Sequence, residues 1–195
     1  PKEVQRLMVA AEKGSVGDLR KLVGRVDLNA ADNDGRTVVH YAARGGKTDN
    51  VRFLAGNGVD VGAIDNNGRN ALHYAARYGH QELAAFLVDD LDLSSNAVDM
   101  HAITPLHQAA LGGHKVMCHW LLEHGADFEA RDSSGLTAIR LAKSMRHNEV
   151  EAYLALWKEE QLRAAGGAAA GAASGGDGSG SGSGSGSERA ASPDA

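Results

Sequence analysis

The residues best equipped for chemistry in this 195-residue chain are nine histidines and a single cysteine. His114, Cys118, His119 and His124 fall close together, and imidazole beside thiolate is a familiar ligand set for zinc or copper. Their spacing argues against a metal site. Cys118 stands where two other copies of the surrounding pattern carry Val51 and Ala84. That marks an apolar slot, in which a free cysteine acts as a small hydrophobe. His119 comes one residue later and is turned off that face of the helix. No nucleophile, base and acid stand together. Gly45-Gly46 and Gly112-Gly113 close helices rather than open them, so they do not form a phosphate cradle. Asp89-Asp90 reads as a solvated loop pair replacing a helix-ending glycine. The chain is expected to hold no catalytic set, no metal and no cofactor.

The other histidines recur at fixed positions in a repeat. Asp32, Asp65, Asp99 and Asp132 each open a segment of the type Asp-x-x-Gly-x-Thr, with Ala102 replacing glycine in one copy and Asn70 replacing threonine in another. The openings are spaced at 33 or 34 residues, a period typical of stacked helical units. His40, His73 and His107 occupy one position of the tetrad that follows, where Arg140 departs from the pattern. His80, His114 and His147 occupy a second position, each after a glycine or, at Arg146, its replacement. An earlier segment from Leu7 to Ala30 fits the frame without its own turn and is one residue shorter near Arg25. Five repeats result, at approximately 1–31, 32–64, 65–98, 99–131 and 132–164. The additional residue of the third falls near Ser94-Ser95.

Local physics gives each repeat its shape. Asp-x-x-Gly is a tight-turn signal, because glycine tolerates positive φ. Thr37, Asn70, Thr104 and Thr137 can cap a helix N-terminus. Pro105 sits at a first helical position, where its missing N–H costs nothing. A short first helix with paired alanines precedes a second helix with apolar residues at helical spacing, such as Leu83, Phe86 and Leu87. Such a unit cannot bury its own apolar face, so stacked copies must share a continuous core.

This pattern, clearest in Thr104-Pro-Leu-His107 and Gly125-Ala-Asp127, resembles the ankyrin repeat family over about 160 residues. The resemblance implies an all-α solenoid of stacked helix-turn-helix repeats with β-hairpin loops projecting to one side. It also implies that His40, His73 and His107 make hydrogen bonds between repeats. Binding of other proteins through the hairpin tips and the concave face of the first helices follows as an expectation. In this family a loop asparagine is a site of hydroxylation, for which Asn29 and Asn96 are the candidates, but the reading adopted for both is a hydrogen-bonding loop asparagine.

Composition sets the remaining bounds. The net charge is −5, which gives no electrostatic reason to expect nucleic acid. One cysteine excludes an intrachain disulfide. Residues Pro1 to Arg6 lack the apolar core of a signal peptide, and no apolar run approaches the ~20 residues of a membrane span. A cytoplasmic or nuclear monomer is the expectation. Ten of the 25 glycines lie between Gly166 and Gly186. Residues 165–195 therefore read as a disordered Gly/Ala/Ser-rich tail after a 1–164 repeat domain.

The informative residues are those the framework leaves free. Arg36, Tyr41 and Arg44 recur one period later as Arg69, Tyr74 and Arg77. Stacking places the pairs side by side, with Tyr78 adjoining. Met100, His101, Ile103, Gln108 and Leu111 extend the set with apolar and polar groups. Arginine and tyrosine combine area with directed hydrogen bonds at binding hot spots. The expectation is a non-enzymatic adaptor or scaffold that binds an acidic, partly apolar peptide or protein on repeats 2 to 4. The competing expectation is a regulatory segment of a larger kinase, acyltransferase or channel. A simpler role for Arg36 and Arg69 is pairing with neighbouring aspartates.

Overall fold

The computed structural model describes residues 2–172. Contacts divide the chain into a repeat body ending at Trp157 and a second unit that begins at Lys158. The first repeat holds α1 (Lys2–Lys13) and α2 (Val16–Arg20), the second α3 (Val38–Arg44) and α4 (Thr48–Ala55). The third holds α5 (Ala71–Tyr78) and α6 (Gln81–Ala85), the latter continued by a π-turn at Phe86–Asp90. Next come α7 (Pro105–Gly112) and α8 (Lys115–Glu123), then α9 (Ala138–Ser144) and α10 (Asn148–Ala172). First helices stack in series: α1 on α3, α3 on α5, α5 on α7 and α7 on α9. The body is the helical solenoid that the repeat pattern predicts.

Side-chain size sets the layering. The alanine pairs 42–43, 75–76 and 109–110 are fully buried on the first helices, where they allow close approach. Bulk comes from the second helices, as Leu54, Leu83, Leu87, Met117, Leu121 and Leu154. Burying each such side chain contributes about 1.5–3 kcal/mol. Cys118 is fully buried among them.

The caps are where the sequence places them: Thr37, Asn70, Thr104 and Thr137 are the N-caps of α3, α5, α7 and α9. At Thr37, Asn70 and Thr104 a histidine three positions on completes the cap, whereas Thr137 is followed by Arg140. Nδ1 of His40 accepts from the Thr37 N–H at 3.0 Å, while Nε2 faces the Arg69 carbonyl of the next repeat at 3.0 Å. His107 does the same with the Thr104 N–H at 3.1 Å and the Leu136 carbonyl at 3.2 Å. One nitrogen faces a donor and the other an acceptor, which fixes the neutral Nε2–H tautomer. His73 Nε2 makes the equivalent bond to the Ile103 carbonyl at 3.0 Å.

The second histidine series reaches backward. Nε2 of His80, His114 and His147 lies 3.0, 3.0 and 3.1 Å from the carbonyls of Arg44, Arg77 and Leu111 in the preceding repeat. These rings lie against Gly46, Gly79 and Gly113, where a Cβ would come within 2.5 to 2.7 Å of Nδ1. The glycine-before-histidine pattern is thus a contact between successive repeats. The fifth repeat departs from it at the two positions that would reach forward, Arg140 and Arg146. Among the described residues no sixth repeat packs there, and Arg146 takes the position with φ 60°.

Two details differ from the sequence reading. The loops are turns rather than β-hairpins, and no strand is present among the described residues beyond an isolated Val23–Val26 bridge. The aspartate side chain satisfies the turn itself: Asp32 Oδ1 accepts from the Asp34 and Arg36 N–H groups at 2.9 and 2.8 Å. Adjacent tips are joined by one backbone–backbone bond at each junction. Examples are the Asn66 N–H to the Asp34 carbonyl at 2.9 Å and the Met100 N–H to the Asn67 carbonyl at 2.8 Å. Asn66 Nδ2 adds a bond to the Asn33 carbonyl at 3.0 Å. The additional residue of the third repeat is not in the Ser94-Ser95 loop but in the π-turn, whose i→i+5 bonding absorbs one insertion. The loop beyond keeps its frame, and Asp92, not Asp89-Asp90, takes the glycine position at φ 56°.

The final helix runs to Ala172, eight residues past the boundary placed at 164. The rest of the tail expectation, residues 173–195, lies outside the described residues. No helix among the described residues is long and apolar enough to cross a membrane.

Candidate binding surface

The residues singled out by sequence come from three first helices and the turns before them. Arg36, Arg44, Arg69, Tyr74, Arg77, Tyr78 and Gln108 line one pocket of about 190 Å³, joined by His73. Tyr41 instead lines a separate hollow with Val4, Met8 and Asp32. Met100, His101 and Ile103 lie on the fourth repeat's turn, and Leu111 lies on α7. Met100 is 73% exposed and Tyr78 is 48% exposed.

Most of these polar groups already have internal partners. The Tyr41 and Tyr74 hydroxyls each donate at 2.7 Å to the aspartate opening their own repeat, Asp32 and Asp65. Burial together with the Asp65 carboxylate pushes the Tyr74 phenol up to about 12. Arg36 donates through Nε to the Tyr74 hydroxyl at 3.2 Å and pairs with Asp34 at 3.1 Å. In the fourth repeat the tyrosine position is held by Gln108. There Arg69 Nε reaches Asp99 Oδ2 at 3.2 Å, and that carboxylate is fully buried. Arg36 and Arg69 are therefore tied to loop aspartates.

Arg44 makes the strongest pair. Its Nε and Nη2 meet both oxygens of Glu12 at 2.9 and 2.8 Å, with the guanidinium 4.8 Å above the Tyr41 ring. The hydrogen bond from Arg44, opposed in part by burial, holds the Glu12 carboxyl below its usual range. Glu12 was not singled out from sequence. Its only sequence signal is a separation from Arg44 of about one repeat period.

Arg77 differs from the other three. Its Nη1 is buried and has no hydrogen-bond partner, and no carboxylate is paired with it among the described residues. A buried donor left unmade costs on the order of 1–3 kcal/mol, and more for a charged group.

The remaining chemically able residues are engaged separately. Burial pushes the Cys118 thiol up to about 12, so it is not a thiolate at neutral pH. His119 Nδ1 lies 2.7 Å from the Tyr153 hydroxyl, and the His124 ring stacks on Trp120 at 3.8 Å. No three His, Cys, Asp or Glu side chains among the described residues gather as a metal site. Asn29 and Asn96 bridge to the following repeat: their Oδ1 atoms accept from the Asp60 and Asp127 N–H groups at 3.0 and 2.7 Å.

Comparison with known proteins matches the sequence to the profile described as ankyrin repeats (3 copies), over residues 7–99 and 91–162. The chain belongs to the ankyrin repeat family. Ankyrin repeats are a protein-interaction module and are generally non-catalytic. Among similar proteins, human transient receptor potential cation channel subfamily A member 1 is 38% identical over 113 residues, 57% of this chain and 10% of the relative. Rat diacylglycerol kinase zeta is 30% identical over 151 residues, 77% of this chain and 13% of the relative. The rice potassium channel AKT3 is 37% identical over 71 residues, 36% of this chain and 8% of the relative. The matched region spans about a tenth of each relative's length.

Proposed function

We propose that this ankyrin stack is a non-enzymatic adaptor, monomeric and acting in the cytoplasm or nucleus. It holds an acidic, partly apolar peptide or protein surface along the first helices and turn tips of repeats 2 to 4. The observation that carries this reading is the exposed Tyr78 ring at the rim of an arginine-lined pocket. An aromatic side chain beside arginine supplies both area and directed donors. Met100, on the next turn, adds exposed apolar surface. The framework-bound Arg36, Arg44 and Arg69 shape this surface, and Arg77 has no ion-pair partner among the described residues.

The test is crosslinking of the native protein in extract, followed by capture of the identified partner with purified variants. Arg77→Glu with Met100→Asp should weaken capture at least tenfold. Val116→Asp, on the exposed side of α8, should leave it unchanged. Equal capture by all three proteins overturns the reading.

A second reading is favoured by the relatives. The repeats would form the regulatory segment of a much larger channel or kinase, since the matched region is a tenth of each relative. An antibody against the repeats separates the two. A native polypeptide near 20.3 kDa supports the adaptor, and one several times larger supports the regulatory segment.

A further inference from the structure

We propose that the pocket between repeats 2 and 4 is a receptor for one carboxylate, an aspartate or glutamate side chain of the bound partner, with Arg77 as its principal donor. This rests on the adaptor reading and gives it a specific anchor. Four arginines and no acidic residue line the pocket. Three of the four guanidinium groups are neutralised by Asp34, Glu12 and Asp99. Asp65, a further carboxylate near the pocket, already accepts from the Tyr74 hydroxyl at 2.7 Å and from the Asn67 and Arg69 N–H groups at 2.8 and 3.0 Å.

The remaining cation is Arg77, whose Nη1 is sealed from solvent without an acceptor. Guanidinium charge is delocalised over the whole plane. An anion reaching Arg77 from the pocket therefore offsets the charge of the whole group, while Nη1 itself stays without an acceptor. Arg77, the one pocket arginine with no ion-pair partner among the described residues, offers a partner carboxylate a charge-assisted hydrogen bond. The Tyr78 ring and the Gln108 amide stand in the same lining, so an apolar stem and a second polar contact are available beside the charge.

The experiment titrates the intact, isotopically labelled chain at constant ionic strength with three capped amino acids: N-acetylglutamate amide, N-acetylglutamine amide and N-acetylphosphoserine amide. Backbone amide signals of Tyr78 and Gln108 are followed by NMR. The glutamate probe should shift both signals saturably, at a concentration at least tenfold lower than the glutamine probe. Arg77→Met should abolish the shift while leaving the urea midpoint of unfolding unchanged or higher. Equal shifts with the glutamine probe, or none with glutamate, overturn the proposal. Tighter binding of the phosphoserine probe overturns the carboxylate assignment. A fall in unfolding midpoint for Arg77→Met marks the arginine as a framework residue and overturns its role as donor. If the glutamate probe binds as expected but partner capture ignores Arg77→Glu with Met100→Asp, the adaptor reading falls and the carboxylate site stands.

Discussion

At the scale of single residues, the histidines have become hydrogen-bonding joints with a fixed protonation state. In His40 and His107 one nitrogen faces a backbone N–H and the other a carbonyl of the next repeat. Protonation would set an N–H against an N–H. Burial, the largest cause, moves both below the ordinary histidine value. The sign follows directly. Above about pH 6.5 both folded and unfolded chains carry neutral rings, and the stability is fully present. As pH falls below that value the unfolded chain takes up protons that the folded chain refuses. Stability is then lost until the folded value is passed, at up to about 1.4 kcal/mol per pH unit for each ring. The urea midpoint should fall between pH 7 and pH 5.5, and His107→Gln should reduce that slope; an unchanged slope would refute the assignment. Ala102 is a second single-residue test. It sits at φ 55°, where the other turns use glycine, and a Cβ there costs roughly 1–2 kcal/mol. Ala102→Gly should raise stability by about 1 kcal/mol. The reciprocal Gly135→Ala, at φ 75° with open space around its Cβ, should lower it by a similar amount. Both are read from urea unfolding.

At the scale of elements, the same chain position does different work depending on its neighbour. Gly113 has positive φ and a histidine ring where its Cβ would be, whereas Arg146 holds the equivalent place in the last repeat at φ 60°. Gly113→Ala should therefore cost about 2 kcal/mol or more, because strain and a steric clash combine. Arg146→Gly should gain about 1 kcal/mol, from relief of strain alone. A gain for both, or a loss for both, in urea unfolding would contradict the ring-on-glycine account. This element-level logic was largely legible in the sequence. The period, the capping Thr and Asn residues, the turn aspartates and the alanine pairs are local signals, and each fell where it was read. The π-turn was not legible. An additional residue in a 34-residue repeat can be absorbed in the loop or in the helix, and only backbone geometry identifies Asp92 as the glycine equivalent. The state of the arginine surface was not legible either. Arg44–Glu12 and Arg69–Asp99 join residues 32 and 30 apart, and such pairings depend on the rise and rotation between stacked repeats.

At the scale of the whole molecule, a solenoid is as stable as its successive interfaces, since each repeat touches only its neighbours. The interface between the first and second repeats is built differently from the others. Lys47 stands where later repeats carry His80, His114 and His147, so the backward imidazole bond is missing. Two other contacts replace it. One is the Glu12–Arg44 pair. The other is Asn50, in the frame position of Leu83, Met117 and Val150. Its buried Nδ2 donates at 2.9 Å to the Ala11 carbonyl and at 3.2 Å to the Gly14 carbonyl, tying down the end of α1. Asn50→Ala would remove these donors and leave buried carbonyls unmatched, at a cost of about 1–3 kcal/mol. Because the interface is local, that cost should fall on the first repeat rather than be shared along the stack. Amide hydrogen exchange should speed up at least fivefold in α1 and α2. It should stay within error of the parent in α7 and α8, three repeats away. Acceleration spread evenly from α1 to α8 would mean that the body unfolds as one cooperative unit. The account of stability as a series of separate interfaces would then be wrong for this stack.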